Sequence, residues 1–135
     1  MLLLLLTLLN TSHTTNFVVF PEDCNPNQIL FGGKLLSEMD RCAAITTRRF
    51  LYDSEIKDAV TINIDKLIFH KPAKVKDLLF INSTIIEVTK KTIKVYVKVE
   101  RETKDSKELI ADGYFTFCAY DPVTKKAVEH GLKLR

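Results

Sequence analysis

The chain has 135 residues, of which 46% are apolar and 27% are charged, and its formal net charge is +3. This size and composition are typical of one compact globular domain with a sizeable core. The small charge, without a basic tract interleaved with aromatic residues, gives no indication of nucleic-acid binding. The three cysteines form no C-x-x-C pair, which favours reduced cytoplasmic thiols over a disulfide framework or a metal site.

Residues 1–9 are almost all leucine. This run is much shorter than the about 20 residues that span a bilayer. A secretory signal is also disfavoured, because the first lysine is Lys34 and residues 10–16 contain no small-x-small cleavage pattern. We therefore expect no membrane association, and we assign residues 1–16 to a leucine-rich extension without a defined role. Its leucines are expected to form an extra strand or helix that packs on the domain or on a neighbouring subunit. Export or anchoring is the alternative, which N-terminal sequencing of the native product decides.

The first half of the chain predicts one short strand and one long helix. The strand covers Phe17–Phe20 and ends at Pro21, and a loop of turn-forming residues follows over Glu22–Leu30. Apolar residues then recur with a 3.6-residue period from Gly32 to Phe50, which predicts a helix with one strongly buried face. That predicted face consists of Leu35, Leu36, Met39, Cys42, Ala43, Thr46 and Phe50.

After Ala59 the apolar period changes to two, which predicts strands. The first strand contains a phase slip near Asp65–Lys66 that indicates a bulge. Short connections favour antiparallel pairing, and the apolar faces of helix and sheet must cover each other. The predicted fold class is therefore α+β, with a curved antiparallel sheet wrapped around one long central helix. The strands are expected between Ala59 and Pro72, and over Leu78–Val88, Ile93–Val99 and Leu109–Ala119.

Residues 25–40 carry the candidate chemistry. Gly32 and Gly33 begin the predicted helix, where backbone N–H groups lack internal partners and the helix dipole is positive. Asp40 lies at the border of the buried face, and Asn25 lies in the preceding loop. Backbone donors, an amide and a carboxylate are the groups that attack on a carbonyl requires. On the residues alone, a merely solvated Asp40 and an Asn25 that caps its own loop are open alternatives.

Six segments and two single residues of the chain follow one another as they do in a known family. The segments are Pro21–Asn25, Phe31–Asp40, Val60–Thr61, Phe69–Pro72, Ile93–Val99 and Phe115–Phe117, and the single residues are Asp77 and Asp121. This series resembles the hotdog-fold acyl-CoA thioesterases of the bacterial YciA and mammalian cytosolic acyl-CoA hydrolase type, over about residues 17–123. The resemblance implies a single hotdog domain over residues 17–135. It also implies hydrolysis of the thioester of fatty or short acyl-CoA to free acid and coenzyme A, with no cofactor beyond the coenzyme A of substrate and product.

The resemblance also implies a site shared between two subunits that join their sheets edge to edge. Asp40 of one chain would face Asn25 of the other, and would activate a water or attack directly to form an anhydride. The thioester oxygen would be bound by the backbone N–H groups of Phe31, Gly32 and Gly33. The predicted contacts to coenzyme A are Lys71, Lys90, Lys91 and Thr92. A cytoplasmic homodimer follows, and a hexamer built as a trimer of dimers is the larger assembly expected.

The sequence departs from the family pattern mainly near the expected coenzyme A contacts. Gln28 and Lys76 stand where the family has glycine, and Val88–Thr92 lacks the glycine and paired serine of the family's turn. The proline that follows the family's last strand is missing from Ala127–Leu132. A catalytically silent acyl-CoA-binding or scaffold hotdog protein is therefore the alternative function. A hotdog dehydratase is disfavoured, because no histidine lies between residues 14 and 69.

Overall fold

A computed structural model of the protein describes residues 11–134, and residues 12–134 form one α-helix and six β-strands. In chain order these are β1 (Ser12–Val18), α1 (Gly32–Phe50), β2 (Ala59–Phe69), β3 (Leu78–Val88), β4 (Thr92–Glu102), β5 (Lys107–Asp121) and β6 (Lys126–Ala127), with 3₁₀ turns at Pro21–Asp23 and Leu51–Asp53. All strand pairs are antiparallel. The sheet order is β1-β3-β4-β5-β2, and β6 pairs with the end of β5.

The predicted architecture is confirmed, because α1 packs its apolar face against the inner face of the sheet. The helix has the predicted bounds, and its fully buried residues include Met39 and Cys42. The inward side chains of β4 from Ile93 to Val99 alternate with polar ones and are completely buried. Leu36 is only partly buried, while Thr47 joins the buried face. No helix between residues 11 and 134 combines the length and the apolar content that crossing a membrane requires.

Strand β1 begins five residues before its predicted start, at Ser12. Its first half is polar and has no clear apolar alternation, so the period gives little signal there. The strand is nevertheless paired with β3 along its whole length, from Ser12 opposite Thr84 to Val18 opposite Leu78. Residues 12–16 are therefore part of the sheet, whereas the sequence predicts a strand only from residue 17. The leucine-rich residues 1–9, for which the sequence predicts an extra strand or helix, lie outside the described residues.

A small polar cluster joins α1 to β3 inside the core. Ser83 is completely buried, and its hydroxyl donates to the backbone carbonyl of Cys42 at 3.0 Å. The same hydroxyl is hydrogen-bonded to the hydroxyl of Thr46, which is also completely buried. A buried hydroxyl is tolerated only when it is hydrogen-bonded. These contacts explain why β3 keeps its inward pattern although one inward position carries a serine.

The predicted bulge in β2 is confirmed. The register between β2 and β5 slips between Asp65 and Ile68, and Lys66 has a φ of 50°. Leu67 then lies against Gly113 of β5, where an added Cβ would be 3.0 Å from Leu67 Cδ1 and 3.2 Å from its Cα. Glycine is needed at this position because the two backbones approach so closely.

Two residues that replace the family's glycines have left-handed backbone conformations. Gln28 has a φ of 62° and Lys76 has a φ of 77°. Lys76 is the third residue of a turn closed by the N–H of Asp77, which donates to the carbonyl of Lys74 at 3.0 Å. A positive φ at the third position is typical of a type II turn, in which glycine is favoured. Both departures therefore place a side chain where the backbone favours glycine.

We expect Lys76→Gly to raise the free energy of unfolding by about 0.5–1 kcal/mol. Relief of the left-handed strain is worth about 1–2 kcal/mol, and the extra backbone entropy of glycine opposes it by about 0.5–1 kcal/mol. Lys74→Gly, in the same turn, is the matched control, because Lys74 does not have a positive φ. Urea denaturation measures both variants. Equal destabilisation by the two substitutions would contradict the prediction.

Candidate active site

The carboxylate half of the site is formed by Asp40 of α1 and Thr61 of β2. Asp40 is partly buried on the third turn of the helix, and the Thr61 hydroxyl donates to its Oδ1 at 2.8 Å. Thr61 lies opposite Phe117, whose buried side chain marks the inner face of the sheet. Among the described residues, none donates to Asp40 Oδ2. One carboxylate oxygen is therefore held in place while the other can accept a proton.

Sequence reasoning assigned no role to Thr61, although it lies in a segment that carries the resemblance. The period of two indicated the opposite, because Val60 and Ile62 are the apolar positions and Thr61 lies in the polar phase between them. In the structure Thr61 nevertheless lies opposite Phe117 on the inner face of the sheet, where a hydroxyl needs a hydrogen-bond partner inside the fold. Only the packing of β2 against α1 identifies that partner as Asp40.

The amide half of the site consists of Asn25, in the loop before α1, and of the backbone N–H groups at the start of α1. Asn25 Oδ1 accepts hydrogen bonds from the backbone N–H groups of Asn27, at 2.9 Å, and Ile29, at 3.1 Å. Within residues 11–134 no group accepts a hydrogen bond from its Nδ2. The loop-capping alternative is thus correct for one end of the amide. The other end remains a donor that the loop holds in a fixed orientation.

The start of α1 supplies backbone donors, but fewer than predicted. The N–H of Phe31 already donates to the carbonyl of Asp23 at 3.0 Å, so it is not available to a ligand. The N–H groups of Gly32 and Gly33 have no acceptor in the part of the chain that the structure describes. An added Cβ at Gly33 would have no neighbour within 4 Å, so a ligand can approach the backbone there. The predicted oxyanion donors therefore narrow to Gly32 and Gly33.

An apolar cavity of 350 Å³ lies beside these donors. Its walls include Gly32, Leu35 and Ile110, and the last two side chains are almost completely buried. Phe69 and Lys71 also line it, and both are exposed. The Phe69 ring covers Gly32, since an added Cβ would lie 3.4 Å from its Cζ. The cavity thus combines an apolar interior with backbone donors at its edge.

The two halves cannot serve one carbonyl within a single chain. Asp40 follows Gly32 by eight residues on one continuous helix. At a rise of 1.5 Å per residue, their backbones are about 12 Å apart along the helix axis. Within the described residues no hydrogen bond joins Asn25 to Asp40 either. The amide half and the carboxylate half therefore face different places on the same molecule.

The predicted coenzyme A contacts also divide between the two halves. Lys71 lies beyond the end of β2, about 25 Å along the strand from Thr61 and next to the amide half. The exposed Lys90 and Lys91 lie in the turn between β3 and β4, and Thr92 begins β4. The pairing registers put Thr92, Cys118 and Val60 on one row across three strands. Since Val60 precedes Thr61, this turn lies on the side of the carboxylate half.

The ammonium of Lys71 is already paired. It lies 2.7 Å from Glu108 Oε1, and Glu108 Oε2 accepts from the guanidinium of Arg101 at 2.6 Å. The hydrogen bonds from Lys71 and Arg101 lower the pKa of Glu108 to about 2. A phosphate that binds Lys71 must therefore compete with an ionised carboxylate.

Other candidates for catalysis are not supported. Burial and then the neighbouring Asp23 and Glu22 raise the pKa of the Cys24 thiol, which disfavours a thiolate nucleophile. His70 pairs with Asp112 at 2.8 Å, which ties the end of β2 to β5. Within the described residues, no group of three or more histidine, cysteine, aspartate or glutamate side chains is placed to hold a metal ion.

The chain is similar to known proteins both in sequence and in structure. The family model described as Thioesterase superfamily matches residues 27–107. A Bacillus subtilis protein named "Uncharacterized acyl-CoA thioester hydrolase YkhA" is 36% identical over 105 residues, which is 76% of this chain and 59% of that protein. The chain thus spans less than two thirds of the length of that relative.

Solved structures share the fold. The acyl-CoA hydrolase from Staphylococcus aureus in complex with butyryl coenzyme A, coenzyme A and coenzyme A disulfide has a TM-score of 0.81 and 27% identity. The likeness covers 90% of this chain and 73% of that one. That hydrolase was also solved as variants in which one aspartate, one threonine or one asparagine is replaced by alanine. An apo-hexameric acyl-CoA thioesterase has a TM-score of 0.79 and 25% identity, covering 90% of this chain and 76% of that one. These likenesses confirm the predicted hotdog fold.

We expect Lys71→Gln to raise the pKa of Glu108 from about 2 toward its ordinary value of 4.5, because the hydrogen bond from the Lys71 ammonium, which lowers that pKa most, is lost. The folded-state pKa lies below the unfolded one, so these ion pairs stabilise the fold above about pH 4.5. That contribution is lost as the pH falls toward 2. The stability difference between wild type and Lys71→Gln should therefore be present at pH 7 and disappear near pH 2.

Carbon NMR of the Glu108 carboxyl group measures the titration, and chemical denaturation at each pH measures stability. Lys98→Gln is the matched control, since Lys98 pairs with Glu100 and not with Glu108. A Glu108 pKa that is the same in Lys71→Gln and in wild type would contradict the assignment.

Proposed function

Since the chain belongs to the thioesterase superfamily, we propose that it hydrolyses the thioester of acyl-CoA to a free acid and coenzyme A. The observation that carries this proposal is the Asp40 carboxylate held by Thr61 on a helix that begins with two free backbone donors. The names of the Bacillus relative and the staphylococcal structure support the substrate class. The aspartate, threonine and asparagine replaced in the staphylococcal hydrolase are the residue types of Asp40, Thr61 and Asn25.

In the proposed reaction Asp40 acts as general base. Thr61 holds Oδ1, and Oδ2 takes a proton from a water whose oxygen attacks the thioester carbon. The carbonyl oxygen becomes negatively charged and is stabilised by the N–H groups of Gly32 and Gly33 at the positive end of the helix dipole. When the C–S bond breaks, the proton passes from Asp40 to the leaving sulfur. Asn25 Nδ2 orients the water or the carbonyl oxygen.

A direct attack of Asp40 on the thioester, through an anhydride, is the second route. A single turnover in heavy-oxygen water distinguishes it from general-base catalysis. Direct attack lets the label enter the Asp40 carboxylate, whereas general-base catalysis leaves all of the label in the released acid.

We propose that two chains form each site through β2. This strand lies at the edge of the described sheet and exposes large apolar side chains on both of its faces. They are Val60, Ile62, Ile64, Ile68 and Phe69, each between 37% and 56% exposed. An edge strand with unpaired backbone groups and apolar side chains favours pairing with another strand.

Antiparallel pairing of two β2 strands about their middle would bring the two halves together. The Thr61 end of one strand would then lie beside the Phe69 end of the other. Because Phe69 covers Gly32, the carboxylate half of one chain would approach the amide half of its partner. Lys71 of that partner and the turn carrying Lys90 and Lys91 would then flank one substrate. A hexamer built from three such dimers is supported by the hexameric structural neighbour, and a cytoplasmic location and the absence of a cofactor are parts of the proposal.

We expect Asp40→Asn to lower kcat by about 10²–10⁴-fold, the usual contribution of a general base. Release of free thiol from short, medium and long acyl-CoAs measures the rate. Asp53→Asn is the matched control, because Asp53 is an exposed aspartate beyond the end of α1. Near-normal hydrolysis by Asp40→Asn would exclude the assigned role. Binding of acyl-CoA to the wild type without thiol release would instead favour the catalytically silent binding protein.

We expect two inactive variants to restore activity when they are mixed. A dimer of one Asp40→Asn chain and one Asn25→Ala chain has one site with both substitutions and one intact site. Random assortment of equal amounts should therefore recover about a quarter of the wild-type activity, because half of the dimers are mixed and each has one intact site of two. Co-expression with two affinity tags isolates the mixed dimer, which should have about half of the wild-type activity. No recovery would show that both residues act within the same chain.

A further inference from the structure

His130 joins three separate parts of the chain. It is only 4% exposed, and its Nε2 lies 2.7 Å from the backbone carbonyl of Thr89, in the turn between β3 and β4. Its carbonyl accepts a hydrogen bond from Ser54 Oγ at 2.6 Å, and its ring packs edge-on against Phe50 at the end of α1. The backbone N–H of Leu132 donates to its Nδ1 at 3.0 Å. A single side chain thus links the turn, the end of the helix and the segment after β6.

The partners of His130 define its tautomer. A carbonyl oxygen only accepts hydrogen bonds, so Nε2 must carry a hydrogen. A backbone N–H only donates, so Nδ1 must be unprotonated. The ring is therefore neutral, and both of its nitrogen atoms are used. This arrangement leaves no position on the ring for a substrate or a transferred proton, so His130 is not a catalytic group.

All three carbonyls of the turn between β3 and β4 are held by donors from outside it. His130 holds two of them, since its Nε2 donates to Thr89 and its backbone N–H donates to Lys90 at 3.1 Å. The backbone N–H of Ala119 donates to the carbonyl of Lys91 at 2.8 Å. With the carbonyls held against the body of the domain, the side chains of Lys90 and Lys91 are exposed on the other side.

The turn contains no glycine, which would make its conformation easier to adopt. Hydrogen bonds among its own residues stiffen it only in part. The hydroxyls of Thr89 and Thr92 are hydrogen-bonded to each other at 2.5 Å, and the N–H of Thr92 donates to Thr89 Oγ1 at 3.0 Å. These bonds close the turn but do not fix its orientation relative to the sheet. The contacts from His130 and Ala119 do so.

We propose that His130 is a positioning residue, which aims Lys90 and Lys91 at the phosphates of coenzyme A by holding the carbonyls of their turn. This inference rests on the proposed function, because it takes the turn to be a contact of the nucleotide end of the substrate. The position of the turn supports it, since Ile93, Phe117 and Thr61 lie on one row across β4, β5 and β2. Two strand spacings, about 10 Å, separate that end of β4 from β2, whose Thr61 donates a hydrogen bond to Asp40.

Two substitutions separate the contact with the turn from the other contacts of the ring. His130→Gln places an amide N–H near the position of Nε2 and retains a donor to the Thr89 carbonyl. His130→Asn places an amide oxygen near the position of Nδ1, retains the acceptor for Leu132 and loses the donor to Thr89. Thermal unfolding of both variants establishes that each is folded. A similar melting temperature for the two makes them a matched pair.

The first measurement is the calorimetric Kd for coenzyme A itself, which needs no turnover. We expect His130→Asn to weaken binding about tenfold, the effect of one lost hydrogen bond of about 1.4 kcal/mol, and His130→Gln to weaken it less than about threefold. We further expect the effect of His130→Asn to vanish in a Lys90→Gln/Lys91→Gln background, since those lysines are what His130 positions. Equal weakening by the two His130 variants, or an undiminished effect in that background, would overturn the proposal.

The second measurement compares acyl-CoA with acyl-pantetheine, which lacks the nucleotide. His130→Asn should raise KM for acyl-CoA about tenfold with kcat nearly unchanged, and it should leave KM for acyl-pantetheine unchanged. An equal change for both substrates would overturn the positioning role. If the wild type hydrolyses neither substrate, the proposed function fails while the Kd values still decide the role of His130.

Discussion

The packing of one amphipathic helix against the inner face of a curved sheet determines where every candidate functional group lies. The apolar stripe of α1 buries Met39 and Cys42 against β3 and β4, and the hydrogen bonds of Ser83 to α1 lock the helix against sliding along the sheet. Asp40 lies at the border of that buried stripe, where the hydroxyl of Thr61 reaches it. A shift of the helix by one turn would separate these two groups, so the position of the carboxylate depends on the whole core.

The same rigidity separates the chemistry into two halves. A continuous helix cannot bend Gly32 toward Asp40, so donors and carboxylate remain about 12 Å apart along its axis. The exposed edge of β2 offers a physical way to overcome this separation. When two identical strands pair in antiparallel orientation, the first end of one lies beside the last end of the other. The fold thus makes assembly a condition of the proposed chemistry rather than an addition to it.

The strongest predictions from sequence are those that rest on periodicity over many residues. The bounds of α1 and the bulge near Lys66 follow from the 3.6-residue period and from a phase slip, and both are confirmed. The start of β1 was missed because polar residues such as Thr14 and Asn16 form a strand through backbone pairing alone.

Local contacts between distant segments could not be predicted in the same way. The occupied N–H of Phe31, the pairing of Lys71 with Glu108 and the bond from Thr61 to Asp40 each join residues that no periodic pattern relates. The roles of Asp40, Asn25, Gly32 and Gly33 stay predictions that rest on geometry and resemblance. Their spacing along the chain was readable, but the loop-capping bonds of Asn25 appear only once the loop is folded.

The exposed edge of β2 also has a consequence for the life of a newly made chain. Within residues 11–134, the outer edge of β2 has unpaired backbone groups beside exposed aliphatic side chains, and in a solitary molecule such a surface is prone to non-specific aggregation. The proposed pairing would remove that surface, so the folded state and the assembled state would be stabilised together, and both would depend on the protein's concentration. Quality control in the cell would therefore act most strongly during the interval between synthesis of a chain and its encounter with a partner.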